Sequence, residues 1–122
     1  MTQPASPRRR NPSRRPARIR VRVLSDSTVA IGPGKAELLV AIDETGSISA
    51  AARAMGMSYR RAWLLVDTMN HAFRSALIVA AKGGSEGGGA TLTLTGRTVL
   101  REYRALAEVA RKKFEPLLAP SS

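Results

Sequence analysis

The chain has 122 residues, a length that suits one domain able to bury a core without covalent staples. It contains no Cys, which excludes a disulfide framework and a thiolate metal site and fits a reducing cytoplasm. Twenty Lys and Arg stand against nine Asp and Glu, a net charge of +11, and such a balance points to an anionic partner.

The charge is concentrated at the start. Eight Arg and no acid fall within the first 22 positions, among them Arg8, Arg9, Arg10, Arg14 and Arg15. The opening segment MTQPASPRRRNPSRRPAR has four prolines and almost nothing apolar, so residues 1–17 are expected to form a disordered, Arg/Pro-rich arm. No apolar stretch of roughly 7 to 15 residues follows those charges, as a secretory signal requires, and no segment reaches the roughly 20 apolar residues of a membrane span. The arm reads either as an incidental solubilising terminus or as a clamp on phosphates, and the clustered Arg favour the clamp.

After the arm, RIRVRVL alternates, with Ile19, Val21 and Val23 on one face and Arg18, Arg20 and Arg22 on the other. Period two predicts a half-buried strand, and SDST followed by VAIG predicts a turn and a return strand. GPGKAELLVAIDETG places Ala36, Leu38, Leu39 and Ile42 on helical spacing between a Gly/Pro start and a stop at Gly46. ISAAARAMG predicts a short second helix with Ser49 as its cap and Gly56 as its stop.

Ser58 is the expected cap of a third helix, SYRRAWLLVDTMNHAF, whose core stripe is Ala62, Leu65, Val66, Met69 and Phe73. At about 100° per residue, Arg60, Leu64, Asp67, Thr68 and His71 fall opposite, with Arg61 on one flank and Tyr59, Trp63 and Asn70 on the other. ALIVAA and TLTLT then predict a second hairpin around a flexible glycine tip, KGGSEGGGA. Finally GRTVLREYRALAEVARKKFEPLL predicts a helix of about five turns ended by Pro116, with Val99, Leu100, Tyr103, Leu106, Ala107, Ala110 and Phe114 on one stripe.

The fold class is therefore α+β, mainly α: a winged helix-turn-helix with an N-terminal β-hairpin and a long C-terminal helix, spanning residues 18–118 and followed by a tail at 119–122. Two short helices about a glycine turn form the DNA-reading unit, and the hairpin after them forms its wing. In that unit the first residues of the second helix meet base edges, which explains Tyr59, Arg60, Arg61 and Trp63 beside a Ser58 cap. Arg60 and Arg61 can fork onto guanine or grip phosphate. Tyr59 and Trp63 read equally as packing or as stacking on the nucleic-acid backbone. Leu64 reads as a thymine-methyl contact or as part of a dimer or helix–helix seam. Ser49 and, on the wing, Lys82 complete the expected contacts.

The run GPGKAELLVAIDETGSISAAARAMGMSYRRAWLLVDTMN, with KGGSEGGGATLTLTGR after it, resembles the N-terminal DNA-binding domain of the molybdate-responsive regulator family ModE. ETGSISAAARAMGMS is also similar to the helix-turn-helix of LysR-type regulators. The resemblance covers about residues 18 to 115. It implies a homodimer to which the long final helix contributes, with one recognition helix in each major groove. The same dimer is expected of the final stripe, which carries more apolar surface than a small domain needs at Val99, Tyr103, Leu106, Ala110 and Phe114. ModE proteins continue into molybdenum-binding domains, whereas this chain ends at Ser122, so no small-molecule effector is expected within it.

Other chemistry finds little support. The glycine loop lacks the GxxxxGK[ST] spacing and lies between strands, so it is not a nucleotide cradle. His71 is the only histidine and has no cysteine or carboxylate cluster around it, so no metal or cofactor is expected. Asp43 and Glu44 are adjacent and face different ways, and no nucleophile–base pair is present, so an enzyme is not expected. The expected function is a cytoplasmic, nucleoid-associated bacterial regulator that reads double-stranded DNA by sequence, away from membranes. The alternatives are an architectural protein that binds duplex without preference, and a protein-interaction module that keeps the helix-turn-helix as a dimer scaffold.

Overall fold

The computed structural model describes residues 19–81 and 89–120. The elements run β1 (Val23–Ser25), β2 (Thr28–Ile31), α1 (Pro33–Thr45), α2 (Ile48–Ala54), α3 (Tyr59–Ala72), β3 (Ile78–Ala80), β4 (Ala90–Leu92) and α4 (Leu94–Phe114), with a 3-10 turn at Glu115–Leu117. The expected order of hairpin, three helices, hairpin and long helix is the observed one, and the architecture is that of a winged helix-turn-helix.

α1 is the hub. Pro33 at its first turn and the left-handed Gly46 at its end, whose N–H reaches the Ile42 carbonyl, set its limits. Between them Leu38, Leu39 and Ile42 are fully buried and Ala36 nearly so. Burial of each large aliphatic side chain stabilises by about 1.5–3 kcal/mol. Around this helix pack α2, α3, β2, β4 and α4. Ala51, Ala52 and Ala62 are buried at the contacts of α2 and α3, and their small side chains let those helices approach closely. Met69 and Leu77 close the core from the wing side.

The two hairpins form separate antiparallel sheets. In the first, Leu24 pairs with Val29 and Ser25 with Thr28, and a bulge lies between Val23 and Leu24. Asp26 turns the chain at φ 56°, a left-handed geometry that Asp tolerates better than most residues. The strand expected over the whole of RIRVRVL is much shorter. Only its last residues pair, and Val23, expected on the buried face, is exposed. Upstream, Val21 and Ile19 are half-buried, and the Tyr103 hydroxyl on α4 donates to the Val21 carbonyl at 2.7 Å. The alternation thus records packing against a helix as well as against a sheet.

In the second hairpin Ile78 pairs with Leu92, Val79 with Thr91 and Ala80 with Ala90. The wing is knitted into the helical body at its root. The Ala90 N–H donates to the Gly46 carbonyl at 2.9 Å, and Ser47 and Gly89 form an isolated bridge. TLTLT, expected as a strand throughout, stops pairing at Leu92 because Thr93 caps α4. The Thr93 hydroxyl accepts from Gly96 N and donates to the Ala76 carbonyl, and its own N–H donates to Leu77 O. Of the expected glycine tip KGGSEGGGA, positions 82–88, with Lys82, lie outside the described residues, while Gly89 bridges to Ser47 and Ala90 already belongs to β4.

Candidate nucleic-acid interface

The helix-turn-helix is assembled by caps. Ser47, in extended conformation, accepts from Ala50 N at 2.8 Å and starts α2. This corrects the assignment of the cap to Ser49, which lies inside the helix, exposed, where its hydroxyl accepts from Arg53 Nη1 at 3.1 Å. Both serines follow a glycine closely. The choice falls on Ser47 because it is the residue whose backbone is extended. At the other end of α2 Met55, Gly56 and Met57 return three N–H groups to helix carbonyls, with Gly56 at φ 68° making the turn.

Ser58 then caps α3 as expected, accepting from Arg61 N at 3.1 Å. Ala62, Val66 and Met69 point into the core, and Leu65 and Phe73 pack at its margin. The remaining face of the first turns is open. Tyr59 is 53 % exposed, Trp63 44 % and Leu64 56 %, and Arg60 and Arg61 are exposed beside them. Tyr59 and Trp63 take no place in the buried cluster, which leaves both rings available for contact with a partner. No described acidic side chain pairs with Arg60 or Arg61. The helix start is therefore an uncompensated cationic and aromatic surface, and its oriented N–H groups add positive potential there.

Asn70, read from the sequence only as a flank residue, has a positioning role. Its Oδ1 accepts from Leu77 N at 2.8 Å and Ile78 N at 3.0 Å, and its Nδ2 donates to the Ile78 carbonyl at 3.0 Å. One side chain thus fixes the start of the wing to the end of α3. Nothing in the local sequence marks it, since its partners lie beyond a turn.

The final helix divides its stripe in two. Leu100 and Tyr103 are buried within the chain, and Val99 packs at the core margin. Leu106, Val109 and Phe114 are 47 %, 48 % and 54 % exposed, Ala110 is half-buried, and Leu117 and Leu118 extend the apolar surface. Arg111 crosses the neighbouring face, holding Glu108 at 2.6 Å and Glu115 at 2.9 Å. The Arg111 hydrogen bond holds the Glu108 carboxyl below its ordinary range. Arg8, Arg9, Arg10, Arg14 and Arg15 lie outside the described residues. Among the described residues there is no group of three potential metal ligands, and no helix is long and apolar enough to cross a membrane.

Residues 34–97, just over half of the chain, match the family described as bacterial regulatory helix-turn-helix protein, lysR family. The chain is 44 % identical over 84 residues to the molybdenum-pterin-binding protein MopB of Rhodobacter capsulatus, an alignment covering 69 % of this chain and 31 % of MopB. It is 42 % identical over 82 residues to the molybdenum transport protein ModE of Azotobacter vinelandii, covering 67 % and 30 %. To the DNA-binding transcriptional dual regulator ModE of Escherichia coli K12 it is 39 % identical over 85 residues, covering 70 % and 32 %. The chain thus matches about a third of the length of these relatives. In fold it is similar to the chain in a crystal structure of a CbnR_DBD-DNA complex, with a TM-score of 0.53 at 20 % identity over 66 % of this chain and 86 % of that one. With its capped tri-helical unit and a wing rooted in it, the chain belongs to the LysR family of bacterial regulatory helix-turn-helix proteins, and its helix-turn-helix domain is of the ModE kind.

Proposed function

We infer that this protein is a transcriptional regulator that binds double-stranded DNA by sequence, with α3 in the major groove. The observation that carries the reading is the open first turn and a half of α3. Tyr59, Arg60, Arg61, Trp63 and Leu64 are all exposed there on a helix whose other face is locked into the core. An N-terminal helix end of this kind is what reaches base edges in a helix-turn-helix. Arg60 and Leu64 lie one turn apart on the outermost face, suited to a guanine edge and a thymine methyl respectively. Tyr59, Trp63 and Arg61 border them, suited to sugar and phosphate. Ser58, which caps this helix, and Ser49 on α2 are exposed as well and are included as contacts in this reading. The relative from Escherichia coli is named a DNA-binding transcriptional dual regulator, which supports the same role here.

In this reading residues 1–17 form an arm whose arginines follow the backbone, residues 18–118 the DNA-binding domain and 119–122 a tail, with Lys82 contributing from the wing. A homodimer, joined through Leu106, Ala110 and Phe114 with Val99 and Tyr103 behind them, presents two copies of α3 to half-sites about 34 Å apart. The site of action is the bacterial cytoplasm, on the nucleoid.

The test is base discrimination. A binding site is first selected from random duplexes, and Arg60→Ala is then compared with the wild type on that site and on scrambled DNA. A base contact costs about 1 to 3 kcal/mol on the selected site and flattens preference at one position. Equal loss on every duplex means that Arg60 meets only phosphate. Failure of the wild type to select any site leaves the architectural role, which the arginines of the arm also serve.

A further inference from the structure

The first turn of α1 lies beside the start of α3, and between them and the chain entering β1 is an open cleft of about 230 Å³. Four cations border it: Arg20 and Arg22 before the first hairpin, Lys35 on α1, and Arg61 on α3. No Asp or Glu lines the cleft, and none of the four is ion-paired with another described residue. Arg97 is paired with Asp43 and Arg111 with two glutamates, whereas these four, like Arg60 beside them on α3, have no described acidic partner. Four like charges around one concavity repel one another, and the low-dielectric wall supplied by Leu65 concentrates their potential.

The cations are also held in place. The Tyr103 hydroxyl, donated to the Val21 carbonyl at 2.7 Å, pins the backbone between Arg20 and Arg22. The Lys35 ammonium donates to the Val29 carbonyl, which fixes it at the cleft with donors to spare. Burial lowers the Lys35 pKa, a cost that an arriving anion offsets. Gly34 brings no side chain to the opening, and a Cβ placed there meets nothing within 4 Å, so the entrance is clear.

We propose that Arg20, Arg22, Lys35 and Arg61 together grip one phosphate of the DNA backbone, on the strand bordering the groove that α3 enters. The proposal rests on the reading of α3 given above and adds to it three residues from outside the helix-turn-helix. Because Arg61 belongs to both surfaces, the phosphate seat sets how far α3 slides along the groove. Contacts of this kind position a protein without reading sequence.

The test follows the affinity of the full chain for duplex across a salt series, in the wild type, R20Q/R22Q, K35Q and, as a control on the far helix, R101Q. The replaced side chains are exposed or half-exposed, and equal thermal midpoints verify that the variants are folded. Loss of one phosphate contact makes the slope of log K against log salt shallower by about 0.9. The expected result is a slope reduced by about one in R20Q/R22Q, with the same fold-loss on every sequence, a smaller change of the same sign in K35Q, and none in R101Q. A duplex carrying a single neutral methylphosphonate at the seated position weakens wild-type binding and costs R20Q/R22Q nothing further.

Duplex binding with an unchanged slope in both cleft variants overturns the phosphate seat and leaves the reading of α3 standing. Absence of any duplex binding by the wild type removes that reading and the seat together. Inorganic phosphate exchanged for chloride at equal ionic strength separates the two sources of the anion. Saturable phosphate binding that R20Q/R22Q abolishes, with the DNA slope unchanged, makes the cleft a site for a free anion and overturns the proposal.

Discussion

Gly96, in the first turn of α4, lies directly against the carbonyl oxygen of Leu77, so that a Cβ at position 96 would overlap that backbone atom. The contact brings the helix onto the chain entering the wing, at the place where Thr93 N also donates to Leu77 O. Alanine normally stabilises a helix interior by about 1 kcal/mol over glycine. Here the neighbour is backbone that cannot rotate away, and overpacking costs about 1–3 kcal/mol. Gly96→Ala is therefore expected to destabilise the protein. The thermal midpoint is expected to fall by about 4–8 °C for each kcal/mol lost, as scanning calorimetry would record. A midpoint that rises would mean that α4 is free to shift away from Leu77.

Asn70 serves as a three-point clamp between α3 and the wing. Asn70→Ala leaves the N–H groups of Leu77 and Ile78 without that acceptor at a position where both residues are buried. Each such group costs about 1–3 kcal/mol. Asn70→Asp keeps an acceptor for both and loses only the donor to Ile78 O, so its loss is expected to be smaller. Urea unfolding of the two variants gives the ranking, and the reverse ranking would show that packing outweighs the hydrogen bonds.

The Tyr103–Val21 bond carries a pH signature. Burial raises the phenol above its ordinary pKa of 10.0, while Arg20 and Arg22 pull it partly back. A folded-state value above the unfolded one means that this stabilisation is complete below about pH 10 and is lost as pH rises through the folded value. Tyr103→Phe is expected to cost about 1 kcal/mol near neutrality, the worth of one hydrogen bond. The difference between variant and wild type is expected to shrink on the alkaline side. Urea midpoints measured at neutral pH and at about pH 11 decide this, and a constant difference would mean that the phenol does not ionise before unfolding.

Leu106, Val109 and Phe114 leave an apolar strip on α4 that no described part of the chain covers. A second copy is the expected cover. Sedimentation at micromolar concentration is expected to give the dimer mass, and Leu106→Glu with Phe114→Glu the monomer mass, with a thermal midpoint that no longer depends on protein concentration. A wild type that sediments only as monomer removes the dimer.

Periodicity made the helices legible, because α1, α3 and α4 each bury a stripe whose spacing is written in consecutive residues. The cap at Ser58 was legible, whereas the cap of α2 was assigned to Ser49 and lies two residues earlier, at Ser47, where the backbone is extended. RIRVRVL misled because alternation reports one buried face without naming what covers it, and part of the cover is Tyr103, far along the chain. The same distance hides the cleft. Arg22 and Lys35 carry no local mark in sequence, and only the packing of α1 against α3 brings them to one opening with Arg61. Asn70 carries no local mark either, since its partners follow a turn whose path the core dictates.

The root of the wing is tied to the bend between α1 and α2 by the Ala90–Gly46 hydrogen bond and the Ser47–Gly89 bridge. Strand register is therefore set at the base, with Ala81 N donating to Gly89 O at 2.9 Å as the outermost rung among the described residues. The connection from position 81 to position 89 need not supply register, and doubling its length costs only about 0.6 kcal/mol of closure entropy. That connection can be lengthened, shortened or recharged without moving α3, so that in the function proposed above the reach of the wing can vary independently of whatever α3 contacts.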